Sequence, residues 1–126
     1  MIKAIKVGAV VEYTSRHDKS EPKTVWLLRI APLGWRVEVW GSIAPVGMRF
    51  EEKDVIIKVV KMGLAGWRGF VDENGNEIQP EYEKDKKYGL QVLTDDVLGK
   101  IPWLVLDELA FEIYRLNFLG EPQKKG

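Results

Sequence analysis

The sequence predicts an α+β fold, with a small antiparallel β-sheet from the N-terminal half, a mid-chain helix, a β-hairpin and a long C-terminal helix packed on the sheet. Short runs rich in β-branched and aromatic residues fill the first third of the chain, whereas long helical spacing of apolar residues appears only after residue 50. Strands followed by helices favour helices on one face of a small sheet over alternating βαβ units. With 126 residues, the chain fits one domain, assigned to residues 1–120, and the polar residues 121–126 are expected to form a mobile tail.

Three segments of the N-terminal half have the composition of strands. Residues 9–14 are a short candidate, and residues 23–31 are dominated by β-branched, aromatic and leucine side chains. Residues 35–41 show the clearest alternation of the chain. Their two faces consist of Trp35, Val37 and Val39 on one side and Arg36, Glu38 and Trp40 on the other. A turn at residues 32–34 would join the last two strands in an antiparallel hairpin.

The segment around residues 51–62 carries conflicting signals. Its apolar residues have helical spacing but are β-branched, which favours a strand: Val55, Ile56, Val59 and Val60. Acidic residues precede them, lysines follow, and Gly63 closes the run. This order suits the dipole of a helix, so we predict a helix over residues 51–62.

Turn residues dominate the next part of the chain. Asn74-Gly75 accepts positive φ cheaply, which predicts a small hairpin with arms at residues 67–71 and 76–79. Residues 80–87 are highly charged and are expected to form a solvent-exposed loop. Thr94 is placed to cap a short helical turn.

The last predicted helix, residues 102–119, has more apolar surface than one neighbour can cover. Pro102 suits its first turn and Gly120 suits its end. One stripe is predicted to be core and comprises Leu106, Leu109, Ile113 and Leu116. Only Glu108, Glu112 and Arg115 form a polar strip. A helix that is apolar over most of its girth is either central to the core or in contact with a partner.

Two sets of residues are candidates for contact with a partner. On the last helix they are Trp103, Leu104, Phe111, Tyr114 and Phe118. A possible second contact combines Trp40 with Arg36, because aromatic and basic side chains together can form a stacking platform for single-stranded nucleic acid. The formal charge of zero, from 19 basic and 19 acidic residues, makes nucleic acid an unlikely ligand.

The other candidate sites fail on spacing, so we predict no catalytic, metal or cofactor site. Residues 72–83 resemble a calcium loop but place Glu77 where that loop needs glycine, so a hairpin turn explains them better. His17 and Asp18 lack a nucleophile at a recognisable spacing and are expected in a solvated loop. The glycine-rich residues 63–69 lack the strand and helix of a phosphate cradle.

Composition also indicates the cellular compartment in which the protein is expected. The chain contains no cysteine, which excludes disulfides, thiolate zinc sites and cysteine nucleophiles. It has no signal-peptide pattern and no apolar run of membrane-spanning length, so we expect a cytoplasmic protein without a membrane partner. Abundant Lys and Glu without Cys is compatible with a thermophilic source.

The order of glycine, tryptophan and turn residues over residues 55–119 resembles that of small proteins encoded in the tail-gene clusters of tailed bacteriophages. The resemblance rests on the motifs at residues 63–70, 72–75 and 101–117, and residues 12–24 resemble the N-terminal part of such proteins. It implies a tail assembly chaperone without enzymatic activity or cofactor. Such a chaperone, acting in the host cytoplasm, would bind the long helical tape-measure protein or another virion protein, or would self-associate. A regulatory or single-stranded nucleic-acid binding module and a small viral inhibitor of a host enzyme are the alternatives.

Overall fold

The computed structural model describes residues 1–43 and 53–119, and it has the α+β architecture that the sequence predicts. In chain order the elements are β1 (Val10–Tyr13), β2 (Val25–Arg29), α1 (Leu33–Ile43), α2 (Lys53–Gly63), β3 (Leu64–Arg68), β4 (Tyr82–Lys84), β5 (Gln91–Leu93), α3 (Asp95–Leu98), α4 (Trp103–Tyr114) and a π-helical extension (Arg115–Leu119). The predicted helix stop at Gly120 and the predicted tail at 121–126 lie outside the described residues.

The main sheet is antiparallel, in the order β1-β2-β3. Tyr13 of β1 lies opposite Trp26 of β2, and Val11 lies opposite Leu28, so these four side chains share one face. That face turns toward the helices, because Tyr13 donates a hydrogen bond to Glu108 of α4. Trp26 and Leu28 are almost fully buried there, so α4 covers the sheet as predicted.

The predicted strand at residues 35–41 is wrong, because this segment lies within helix α1. Trp35, Val39 and Ile43 follow i, i+4, i+8 spacing and are all buried, whereas Val37 is 61% exposed. Burial in this segment therefore follows the helical spacing and not the alternation that suggests a strand. The predicted hairpin is absent as well, and β2 pairs with β3 instead.

Several predictions for the middle of the chain are confirmed. The helix predicted over 51–62 is confirmed within the described residues as α2, and Val71 bridges Glu77 around the predicted Asn-Gly turn. Thr94 caps α3 as expected, by accepting a hydrogen bond from the Val97 backbone N–H at 3.3 Å. The segment 80–87 is more than a loop, because β4 lies within it and pairs with β5.

Helix α4 is followed by a π-helical extension that completes the predicted helix up to Leu119. Asn117 in this extension is buried, and its side chain accepts a hydrogen bond from the Ala31 N–H and donates to the Arg29 carbonyl. The C-terminal end of α4 is therefore tied to the end of β2. The predicted core stripe is confirmed, because Leu106, Leu109, Ile113 and Leu116 are all buried.

Candidate protein-binding site

The five residues predicted for partner contact on the last helix differ in their exposure to solvent. Trp103, Leu104 and Phe111 are exposed, at 44%, 58% and 45%. Tyr114 is only 5% exposed and belongs to the core, and Phe118 is half-buried against it. The accessible apolar surface predicted on this helix therefore lies on α4 itself, at residues 103, 104 and 111, and not on its π-helical extension.

The possible second contact takes a different form from the one predicted. The Trp40 ring lies 5.4 Å from the Phe118 ring, and Phe118 lies 5.4 Å from Tyr114. Trp40 thus extends an aromatic row that begins in the core. Arg36 donates from Nε to the Ala31 carbonyl at 2.9 Å, which ties it to the start of its own helix. Neither residue lies on a strand, so the stacking platform on adjacent strands does not exist.

The predicted polar strip on α4 is not a solvated face, because Glu108 and Glu112 are both buried. Glu108 accepts hydrogen bonds from the hydroxyls of Tyr13 and Ser15 and from the Arg16 backbone N–H at 3.0 Å. The Arg16 side chain also reaches its carboxylate at 3.4 Å. These four donors hold the turn after β1 against α4.

Electrostatics at Glu108 favour the ionised carboxylate. Burial acts to raise the pKa of Glu108, but hydrogen bonds from Ser15, Tyr13 and the Arg16 backbone outweigh it and leave that pKa below its usual value. Burial raises the pKa of the Tyr13 hydroxyl well above its usual value, and the Glu108 carboxylate raises it further. Tyr13 therefore stays a neutral donor to an ionised acceptor.

Glu112 extends the same arrangement by one helical turn. Its carboxylate lies 3.9 Å from the Arg16 guanidinium and 3.7 Å from that of Arg115. The two buried carboxylates of α4 are thus matched by two arginines, one on the loop and one on the helix. Ser15 is only 3% exposed, and its hydroxyl donates to the Glu108 carboxylate.

Two depressions lie beside the loop that Glu108 holds. The first, about 410 Å³, is called the α4 groove and is lined by Arg16, His17, Leu104, Asp107, Glu108 and Phe111. The second, about 240 Å³, is lined by apolar side chains from β2, from the segment after β3 and from the start of α4, including Trp26, Phe70, Val71 and Val105. His17 lines both. The sequence places His17 in a polar loop and gives no sign that the fold brings this loop against a helix some 90 positions away.

Asp107 lies at the centre of the α4 groove's helical wall. Leu104, Asp107 and Phe111 follow i, i+3, i+7 spacing and therefore share one outward stripe of α4. Asp107 is exposed, and among the described residues no cation lies within ion-pair distance of its carboxylate. The stripe thus consists of an apolar, then an acidic, then an apolar side chain.

Residues 1–43 and 53–119 contain neither a candidate metal site nor a candidate membrane span. No group of His, Asp or Glu side chains there could hold a metal ion, and no helix there has the length and apolarity needed to cross a bilayer. Comparison of the chain with known protein families, curated proteins and solved structures found no match. The site's own chemistry must therefore support any functional assignment.

Proposed function

We propose that this is a non-enzymatic binding protein that receives an amphipathic helix of a partner protein in the α4 groove. The observation that carries the proposal is the exposed stripe of Leu104, Asp107 and Phe111 beside a loop that Glu108 fixes in place. An exposed apolar surface next to charged groups is typical of a protein-interaction site.

The shape of the groove favours a helical ligand. One wall is a face of α4 and the other is the turn carrying Arg16 and His17, with the second depression beyond it. A helix laid in such a groove can place two apolar anchors one or two turns apart, one in each depression. Asp107 on one wall and the Arg16 guanidinium, 67% exposed on the other, offer opposite charges that would fix its orientation.

The resemblance to phage tail-cluster proteins suggests which partner this is. A tape-measure protein is long and helical, and a chaperone must hold it reversibly until the tail tube assembles around it. A shallow, partly polar groove suits such weak contacts better than a deep apolar cleft. We therefore propose a role as an assembly chaperone or accessory virion protein with a tape-measure-like partner.

Peptide binding tests the proposal. Labelled helical peptides that tile a phage tape-measure protein are titrated with the protein, and binding is followed by fluorescence anisotropy. Leu104→Asp is expected to raise Kd at least tenfold, because burying a leucine side chain contributes about 1.5–3 kcal/mol.

Leu33→Asp is the matched control. Leu33 is 66% exposed and begins α1, much as Leu104 is 58% exposed and lies in the first turn of α4. An aspartate is favourable in the first turn of either helix, so both variants should fold. The proposal fails if no peptide binds, or if both variants weaken binding equally.

A further inference from the structure

The turn after β3, here called the Asn-Gly turn and comprising residues 72–76, joins an asparagine to a glycine in full view of solvent. Asn74 and Gly75 are both exposed, and Gly75 has a φ of 81°, which glycine adopts without strain. Within residues 1–43 and 53–119, no hydrogen bond holds the Asn74 side-chain amide. The amide of Asn117, in contrast, is buried and bonded on both its oxygen and its nitrogen. Asn74 therefore combines an accessible amide with a neighbour that has no side chain to hinder its backbone nitrogen.

This combination permits a covalent reaction within the main chain, and asparagine is a thermolabile residue for such reasons. After losing its proton to base, the Gly75 nitrogen forms a bond with Asn74 Cγ, and the Cγ–Nδ2 bond breaks with release of ammonia. Water then opens the resulting five-membered imide at either carbonyl carbon, which leaves aspartate or isoaspartate at position 74. Each conversion replaces an amide with a carboxylate and adds one negative charge.

Asp72 restrains this reaction in the folded turn. Its carbonyl accepts a hydrogen bond from the Gly75 N–H at 3.0 Å. Its carboxylate accepts from the backbone N–H groups of Asn74 and Asn76, both at 2.9 Å. The nitrogen that must attack is thus held against Asp72, so the reaction proceeds only when the turn opens.

We propose that Asn74 is a site of spontaneous conversion to isoaspartate and that Asp72 sets the rate of this conversion. Isoaspartate carries the main chain through its side-chain carbon, so one extra atom enters the backbone between positions 74 and 75. The longer turn no longer matches the Gly75 N–H with the Asp72 carbonyl while the Asp72 N–H meets the Asn76 carbonyl, which now lies at 2.8 Å. Conversion therefore loosens the turn permanently.

The turn supports one wall of the second depression. Phe70 and Val71 line that depression, and both are held by the strand that follows the turn. The Ile78 N–H donates to the Phe70 carbonyl at 2.8 Å, and Val71 pairs with Glu77. Loosening the turn weakens these contacts, so partner binding should decline as the protein ages. This consequence rests on the proposed function, whereas the modification site does not.

Incubation of the full chain at mildly alkaline pH, followed by mass spectrometry, tests the site. Trypsin cleaves after Arg68 and Lys84, so one peptide carries both Asn74 and Asn76, and electron-transfer fragmentation distinguishes isoaspartate from aspartate. Asn76 is an internal control, because Glu77 follows it and hinders the attacking nitrogen. We expect conversion at Asn74 to be at least tenfold faster than at Asn76. No conversion at Asn74, or equal rates at the two positions, overturns the site.

Asp72→Ala tests what sets the rate. This variant should convert several-fold faster, because two of the backbone N–H groups that keep the turn closed lose their acceptor. Glu73→Ala is the matched control, since it removes the same charge from the adjacent exposed position and should leave the rate unchanged. Circular dichroism establishes that both variants fold. Equal rates in the two variants would show that Asp72 does not restrain the reaction.

The converted protein also separates this inference from the proposed function. Anion exchange isolates it through its added negative charge, and the same helical peptides are then titrated with it. Conversion should raise the peptide Kd several-fold, whereas Asn74→Asp, which adds the charge without the extra backbone atom, should not. Equal peptide affinity before and after conversion overturns the link to the second depression. If no peptide binds any form while Asn74 converts as expected, the partner-helix proposal fails and the modification site stands.

Discussion

At the scale of single residues, the carboxylate of Glu108 matters most, because it decides whether the turn after β1 becomes a wall of the α4 groove. Four donors from three residues converge on it: the hydroxyls of Tyr13 and Ser15, and the backbone and side chain of Arg16. Such a buried acceptor stabilises the fold only while it is ionised and fully bonded. The groove that we propose as the binding site therefore depends on one side chain that does not itself face the ligand's apolar surface.

Glu108→Gln is expected to lower the free energy of unfolding by about 3 kcal/mol at neutral pH, because the amide leaves at least one buried donor unmatched. The effect should depend on pH in a defined direction. Since folding lowers the pKa of Glu108, its contribution is present above the carboxyl's unfolded value of about 4.3 and is lost as pH falls through the lower folded value. Urea unfolding from pH 7 down to pH 3 should show the variant and the unmodified chain converging at the acid end.

Asp107→Asn, one residue earlier and exposed, is the matched control and should change stability by less than about 0.5 kcal/mol. A stability difference for Glu108→Gln that stays constant, or grows as pH falls, would show that the carboxylate is not the stabilising group.

The sequence could not reveal this residue's role. On a helical projection Glu108 and Glu112 form an ordinary polar strip, and local spacing carries no information on partners 92 to 95 positions away. The outward positions of Trp103 and Leu104, by contrast, follow from the same projection once the buried stripe is known. Local pattern thus predicts which helix face is core, and tertiary contact decides which polar residues are buried with it.

At the scale of elements, two helices show how spacing and propensity compete. The sequence of helix α1 predicts a strand, because Trp35, Val37 and Val39 occupy every second position. Its buried residues nevertheless follow the helical period through Ile43. Helix α2 is richer in β-branched residues than α1, yet its flanking charges and closing Gly63 identify it correctly. Helix α1 has no acidic residue in its first turn and no basic residue in its last turn, so the sequence lacks the end signals that resolved α2.

Gly63 also sets the distance between α2 and α4. A Cβ at this position would lie 2.1 Å from Ile113 Cγ2, which is far inside van der Waals contact. Gly63→Ala should therefore destabilise the fold by about 1–3 kcal/mol. Gly41→Ala, inside α1 with open space around the new methyl group, should instead stabilise by up to about 1 kcal/mol. Thermal unfolding of both variants checks the opposite signs, and equal effects would mean that α2 and α4 can separate without cost.

At the scale of the whole molecule, every described helix and strand except β4 contributes to one hydrophobic cluster. Trp26 of β2, Trp35 of α1 and Trp67 of β3 all belong to it, and each is less than a tenth exposed. The Trp67 indole N–H also donates to the Ile78 carbonyl at 2.7 Å, which ties the Asn-Gly turn region to the sheet. Because the sheet and the helices contribute to the same cluster, neither has a separate hydrophobic core.

Unfolding should accordingly be a single cooperative transition, because no part of the cluster can be exposed without weakening the rest. Tryptophan fluorescence reports mainly on the sheet and α1, through Trp26, Trp35 and Trp67, whereas far-UV circular dichroism is dominated by helices such as α2 and α4. At any one protein concentration, the two signals should give the same midpoint in guanidinium chloride. Separate fluorescence and dichroism midpoints would instead mean that the sheet and the α2–α4 pair unfold independently, and that the groove between α4 and the β1 turn can open without global unfolding.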